Sequence, residues 1–356
     1  MTILARFVRT PAGASLTVTL FAIATVTLVV IGGGYDIGRA VAALWNGSFG
    51  SSYSFFSGTL LRATPLILVG LAVAVAFQAG VLNIGVEGQL LAGAAATIAA
   101  GLSLSNCPAW IAIPLELAAG VTAGAGWAGI AALLRHRFGV LEVISTLMLN
   151  FVALFAVSYL VRGPLQEPTH AFPQTMPLAE SARLPVIMPG QRLHLGFVVA
   201  VLLAVATWWF LRSTASGFRI RAVGAGAAAS ASAGRVNVGR VAFGAFLASG
   251  AIAGLAGGVQ VTGVTYEFFE GISPGYGYTA IAVALLARLN PLAVIVAGIF
   301  FGGLEAGGAG MQRDAGVPAG FVSVLEALVL LGVLAVNRAR AQASARIRSS
   351  NGVEPT

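Results

Sequence analysis

Apolar residues run along this chain in long blocks, broken by short turns that carry Arg, Gly, Pro or Asn. Ten blocks are delimited this way, at about Ala14 to Gly34, Thr59 to Ala79, Ile84 to Gly101, Ala109 to Leu134, Val143 to Val161, Leu195 to Leu211, Val241 to Thr262, Tyr278 to Ala287, Pro291 to Gly310 and Val317 to Val336. Most approach or exceed the about 20 helical residues that cross an about 30 Å hydrocarbon layer. Barrel strands would be near ten residues long and alternate in polarity. The pattern therefore predicts an all-α, polytopic transmembrane helix bundle of about ten membrane segments. The Tyr278 to Ala287 block is too short to span and reads as a half-helix or a short re-entrant helix.

Composition sharpens this picture. Apolar residues are 58% of the 356 and charged residues 9%, against roughly one-quarter charged in soluble domains. The 46 Gly residues include pairs spaced by four, Gly120 with Gly124, Gly250 with Gly254 and Gly258, Gly298 with Gly302, and Gly303 with Gly307. Such spacing predicts close helix contacts in lipid, where small residues rather than hydrophobicity hold helices together.

All 20 basic residues are Arg, and against 12 acids they give a formal charge of +8. With the chain starting inside, 14 of them fall in cytoplasmic segments and 6 outside. The positive-inside rule thus predicts cytoplasmic termini in a cell membrane. Residues 1–337 read as a single transmembrane domain and 338–356 as a basic cytoplasmic tail. Two external loops stand out, Tyr35 to Ser57 and the proline-rich Arg162 to Arg192, whose composition suits a covering or docking loop. The longest internal loop, about 212–240, contains an Ala-rich stretch that favours a short helix bounded by Gly224 and Gly234. Cys107 stands alone, and His136, His170 and His194 lie too far apart in sequence to give ligand spacing. The sequence predicts no metal site.

Polar residues inside the apolar blocks are the candidates for function, because uncompensated polar groups are costly in hydrocarbon. Asn83, Glu87 and Gln89 fall within seven residues. On a helix the first two share a face and the third is displaced by about 120 degrees. They either line a solute path or clamp the bundle. Asn150 lies deep in its block and suits a pore or an interhelical hydrogen bond, whereas Glu142 pairs at the water interface with Arg135 or Arg137. Tyr276 and Tyr278, flanked by glycines, either stack on a planar solute or anchor at the interface. Glu305 and Glu326 suggest interhelical pairing or, together with Glu87, the coupling sites of a proton- or sodium-driven secondary transporter.

Three blocks carry a resemblance: FQAGVLNIGVEGQ at Phe77 to Gln89, LEVISTLMLNF at Leu141 to Phe151, and GYGYTAIAVALLARLNPLAVIVAGIFFGGLEAGGAGMQ at Gly275 to Gln312. From about Phe55 to Val336 the chain resembles permease subunits of bacterial ABC importers of the branched-chain amino acid and simple-sugar superfamily, and most closely its nucleoside-uptake branch. The resemblance implies a bacterial inner-membrane subunit that pairs with itself or a homologous permease. It also implies two cytosolic ATPase subunits and an extracytoplasmic solute-binding protein. The chain has no GxxxxGK[ST] phosphate loop, so the expectation is no cofactor here and ATP on the partner subunit. The coupling helix of such permeases is matched by Arg221, Ala222 to Gly224, Ala228, Ala229, Ala233, Gly234 and Val236 to Val238. Ala225 and Gly226 stand where relatives commonly carry Asn-Pro. The implied activity is ATP-driven import of nucleosides or related sugar-like solutes by alternating access, without catalysis by this chain.

Overall fold

The computed structural model describes residues 32–234, 236–318 and scattered positions from 320 to 332. It is all-helical; among the described residues the only β pairing is two isolated bridges. The helices are α1 (Ile37–Ser48), α2 (Leu61–Gln78), α3 (Val86–Ser103), α4 (Ala109–Phe138), α5 (Glu142–Arg162), α6 (Gly196–Ser213), α7 (Ala215–Ala225), α8 (Ala227–Gly234), α9 (Val238–Gln260), α10 (Tyr276–Leu286) and α11 (Pro291–Ala315). With π-helical extensions at Ser54–Leu60 and Val261–Thr265, six described helices are long and apolar enough to cross a membrane. They contain α2, α4, α5, α6, α9 and α11. The expected first block lies almost wholly outside the described residues, and the last is described only in part.

The chain forms two compact units, one holding the described parts of Met1–Ser54 and Leu304–Thr356, the other Phe55–Gly303. In the larger unit, 89% of the apolar window of Ser54–Gln78 is buried, against 28% for α4, α5 and α6. A helix apolar on all sides belongs where every side is covered, so α2 is central. The other three turn much of their surface outward, with Phe151, Phe155 and Tyr159 of α5 and Leu202 and Trp209 of α6 exposed. In a membrane-spanning protein that surface meets lipid.

α9 packs most extensively against α4 and then α3. Sequence spacing marked this seam on both sides. A Cβ at Gly254 would run into the backbone of Gly120 and Gly124, and one at Gly93 into the backbone of Gly254. Gly302 lies likewise against Ala63 and the Thr59 carbonyl, so α11 approaches α2 closely. Small residues here set the spacing of backbones that hydrophobicity alone would not hold together in lipid.

The proline-rich stretch after α5 is an ordered cover over the end of α9. Leu184 N donates to the Thr262 carbonyl at 2.9 Å, Leu178 N to Tyr266 at 2.7 Å and Thr175 N to Phe268 at 2.9 Å. The Arg183 guanidinium lies 4.7 Å from the Tyr266 ring centroid and also donates to the Leu178 carbonyl. Arg162 and Ser158 of α5 bond Glu270. These bonds draw its carboxyl down to about 2.

The smaller unit corrects one expectation. Part of the region read as an external loop, Tyr35 to Ser57, is α1. Its Asp36 side chain accepts from Arg39 N at 2.7 Å, an N-cap that the loop reading overlooked. Ala40 and Ala43 face Met311 and Val317, while Val41 and Trp45 stay exposed.

Candidate functional site

The apolar run from Phe77 to Ala96 is divided in sequence between the blocks that end at Ala79 and begin at Ile84, although the polar spacing places Asn83 on one helix with Glu87 and Gln89. In the structure it is broken: α2 stops at Gln78, Gly80 turns with φ 71°, and α3 begins only at Val86. Asn83 therefore precedes the helix that carries Glu87 and Gln89, and the expected sharing of a helix face does not apply. A helix that starts inside a bundle exposes N–H groups without intrahelical partners. Two amides supply them. Asn83 Oδ1 accepts from Gly85 N at 3.0 Å, and Asn150 Oδ1 accepts from Gly88 N at 2.9 Å.

The same amides close the rest of the network. Asn83 and Gln89 form a reciprocal pair, both bonds 3.0 Å, and Asn83 Nδ2 also donates to Ser249 Oγ at 2.9 Å. Ser249 Oγ donates in turn to the Ala72 carbonyl at 2.7 Å. Every donor and acceptor position of Asn83 is filled, and its side chain is inaccessible. Asn150 Nδ2 reaches the Ile84 carbonyl at 3.0 Å and Tyr278 Oη at 3.4 Å.

Glu87 works on a second helix start. Its carboxylate accepts from Gly277 N at 2.6 Å and is bonded by Ser273. Gly277 is in the first turn of α10, whose N–H groups lack intrahelical partners, so the Glu87 carboxyl caps this helix. A Cβ at Gly277 would come within 2.7 Å of Glu87 Cα, so only glycine admits this approach. Ser273 Oγ takes Tyr276 N at 3.1 Å, and Gly275 before it has φ 98°. The two tyrosines part company here. Tyr276 is buried in the packing, whereas Tyr278 is half exposed beside Asn150.

Trp127 of α4, unmarked in the sequence reading, completes this corner. A Cβ at Gly88 would be 3.0 Å from both Trp127 Nε1 and Asn150 Oδ1, and the buried indole N–H has no partner among the described residues. A tryptophan in a glycine-rich apolar block gives no signal in one dimension. Glu116 of α4 is a clearer omission. It is fully buried against Gly101, and neither carboxylate oxygen has a described partner. An acid within an apolar block was there to be read.

On the other side of the break lies the Ala-rich segment. It is two helices, α7 and α8, divided at Gly226, whose backbone is extended. Gly224 was expected to bound the helix but lies inside α7, because its lack of a side chain serves a contact instead. A Cβ there would overlap the Gln78 carbonyl, and Gly80 lies against it. Gly234 ends α8 as expected. Arg221, Ala228 and Ala229 are exposed. Glu142 pairs with Arg135 at 3.1 Å, one of the two partners expected for it. Glu305 belongs to the smaller unit, and Glu326 lies outside the described residues.

The comparisons with known proteins agree with this architecture. Residues 55–334 match the model of the branched-chain amino acid transport system permease component. The chain is 39% identical over 319 residues to the guanosine ABC transporter permease protein NupP of Bacillus subtilis, covering 88% of this chain and 90% of that one. It is 42% identical over 282 residues to the glucose ABC transporter permease protein TsgB13 of Haloferax volcanii, covering 76% and 74%. It is 31% identical over 312 residues to the nucleoside ABC transporter permease protein NupB of Lactococcus lactis, covering 85% of each. No solved structure matches the chain significantly. A polytopic helical chain matched over this length by permeases of one kind has one reading: it belongs to the branched-chain amino acid transport system permease family, the membrane-spanning subunits of ABC transporters.

Proposed function

We propose that this permease imports nucleosides by alternating access, with ATP hydrolysed on separate cytosolic subunits and solute delivered by an extracytoplasmic binding protein. A second copy or a homologous permease completes the pathway. Ten membrane segments in a bacterial inner membrane, with both termini in the cytoplasm, accord with the 14-to-6 arginine split. α10 is the re-entrant piece: its 11 residues reach about 16 Å, half of the about 30 Å layer.

The observation that carries the solute class is the corner formed by Tyr278, Asn150 and Trp127. A half-exposed aromatic ring stands beside an amide and an unpartnered indole N–H. The ring offers a stacking face to a planar base, with the buried Asn150 and Trp127 supporting it from behind. The names of the Bacillus and Lactococcus relatives point the same way, while that of the Haloferax relative supports a sugar. Asn83, Glu87 and Gln89 support the path from behind as clamps, since their polar atoms already have partners. α7 and α8 form the ATPase-coupling segment, with Ala228 and Ala229 on its exposed face and Gly224 against the break.

The test is uptake by the complex reconstituted with its ATPase and binding protein. Labelled guanosine is expected to accumulate only with ATP, and Tyr278→Ala to reduce uptake while assembly is retained. Uptake of glucose with guanosine excluded would establish the sugar reading. Uptake by this chain alone under a proton or sodium gradient would overturn the ABC reading.

A further inference from the structure

The 12 residues of α1 divide into three faces. At about 100° per residue, Ala40, Ala43, Leu44, Gly47 and Ser48 project to one side, and this side packs on the C-terminal part of α11. Ala40 and Ala43 cluster with Met311 and Val317, a Cβ at Gly310 would run into the Ala43 carbonyl, and one at Gly307 into Ser48 and the Leu44 carbonyl. Ile37, Val41 and Trp45 form the second face. Val41 is 62% exposed and Trp45 60%, and the Phe49 ring lies 5.5 Å from that of Trp45. Arg39 and Asn46, also exposed, form the third face.

α11 is long and apolar enough to cross a membrane, and near its C-terminal end the exposed Arg313 and Asp314 pair at 2.9 Å. That pair marks where the helix meets water. At a rise of about 1.5 Å per residue, Gly310 lies about 4.5 Å and Gly307 about 9 Å short of Arg313, on the hydrocarbon side. α1 is therefore seated against the last turns of a spanning helix, not above them. The same contacts fix its rotation. Leu44 and Ser48, which border the face of Ile37, Val41 and Trp45, meet the deeper Gly307, whereas Ala43, which borders Arg39, meets Gly310. The apolar face thus turns toward the membrane interior and the polar face toward water.

We propose that α1 lies in the plane of the bilayer at the boundary of hydrocarbon and headgroups, with the face of Ile37, Val41 and Trp45 on lipid acyl chains. An interfacial helix buries its apolar side about 5–10 Å below that boundary, the depth at which α1 meets α11. Its 12 residues, about 18 Å, are too few to cross a hydrocarbon layer of about 30 Å. Trp45 suits the position, because an indole favours the membrane–water interface. A water-soluble partner, the binding protein included, would have to reach this face from below the level of Arg313, where lipid lies. In the topology proposed above, the leaflet is the outer one. The inference requires that α11 cross the membrane and is independent of the solute carried.

The test is fluorescence quenching of a bimane label on the permease–ATPase complex, reconstituted in liposomes of phosphatidylcholine and phosphatidylglycerol on a Cys107→Ser background. Labels at Val41→Cys and Asn46→Cys are compared. The quenchers are a phosphatidylcholine carrying a doxyl group near its headgroup and iodide in the water on both sides of the membrane. The Val41 label is expected to be quenched about threefold more by the doxyl lipid than by iodide, and the Asn46 label about threefold more by iodide, since they lie on opposite sides of the boundary. Trp45→Cys reports the same face as Val41 and decides if Val41→Cys fails to assemble. Iodide quenching at Val41 equal to that at Asn46 would place the face in water and overturn the proposal. Protection of Val41 from both quenchers would make the face a protein contact and equally overturn it. A label at the exposed Val296 of α11 checks the premise: without lipid quenching there, α11 is not in the bilayer and the inference falls.

Discussion

Replacing Asn83 by Leu tests whether the break between α2 and α3 is a clamp or a lining of the path. The substitution removes four hydrogen bonds: two with Gln89, one with Ser249 and one with Gly85 N. Interhelical bonds in a bilayer average about 0.6 kcal/mol, because the unfolded chain finds other partners there, which sets a lower figure near 2 kcal/mol. The upper figure comes from what is left behind. Both Gln89 amide atoms and Gly85 N become buried and unpaired, at about 2 kcal/mol each, giving about 6 kcal/mol. Ser249 escapes this cost because its proton already goes to Ala72. At about 2 °C per kcal/mol for a chain of this size, the apparent Tm of the purified complex falls by about 4–12 °C. Asn83→Leu combined with Gln89→Leu removes both partners and is expected to cost less than the sum of the single changes. A complex with wild-type Tm and yield but no transport would refute the clamp and return Asn83 to the solute path.

Glu87→Gln keeps an acceptor for Gly277 N and is expected to cost about 1 kcal/mol, whereas Glu87→Ala uncaps α10 and costs about 2–3 kcal/mol; thermal unfolding of the complex compares them, and equal losses would refute the capping role. Ala228→Asp or Ala229→Asp should abolish stimulation of ATP hydrolysis by loaded binding protein with no change in Tm; unaltered stimulation would remove α8 from the coupling segment. Glu116→Met replaces an unpartnered buried acid and should raise stability by about 1–3 kcal/mol, so lower stability would mean that the carboxyl has a partner in the working complex. His194 is buried, accepts from Gly196 N at 3.1 Å through Nδ1, and has its pKa lowered by burial to about 4. Stability from this neutral ring is present above about pH 6.5 and is lost as pH falls toward 4, by up to about 3 kcal/mol. Amides of 184–196 should therefore exchange faster at pH 5 than at pH 7.5 after correction for intrinsic rates, and His194→Leu should remove the difference.

Hydropathy made the spanning helices legible because burial in lipid acts on each block separately. α1 escaped because its block is short and half polar, and its identity depends on the Asp36 cap and on Ala40 and Ala43 meeting Met311 and Val317. The break at 79–85 was legible as a gap between the blocks ending at Ala79 and starting at Ile84, but its full extent and what satisfies it were not. Val81, Leu82 and Ile84 are as apolar as any helix face, and the interruption becomes affordable only when Asn150 and Ser249, distant in sequence, satisfy the freed groups. Glycine spacing disclosed which helix faces pack closely but could not say that Gly254 meets Gly120 and Gly124. The residues that carry the candidate site were mostly visible, but their division of labour was not. Tyr276 and Tyr278 are alike in sequence, and only packing separates a buried ring from a half-exposed one.

The placement of directional bonds constrains how this bundle moves. α2, α3, α5, α9 and α10 are tied together around residues 83–89 by Ala72, Ser249, Asn150 and the Glu87–Gly277 bond. Separating any of them leaves an unpaired polar group in hydrocarbon, so they are held as one piece. The α4–α9 seam is different, with glycines facing backbone, so a small slide there breaks fewer directional bonds. α7 packs on α6 and α9 and also meets the stretch of chain after α2, where Gly224 lies against the Gln78 carbonyl. Gln78 also holds the turn after α10 through the Leu289 carbonyl, and Glu87, nine residues on, holds the start of α10. The stretch from Gln78 to Glu87 thus touches α7 and holds both ends of the short helix. That stretch is the part of the fold where irregular backbone replaces helix, and there a change of direction costs no helical hydrogen bonds.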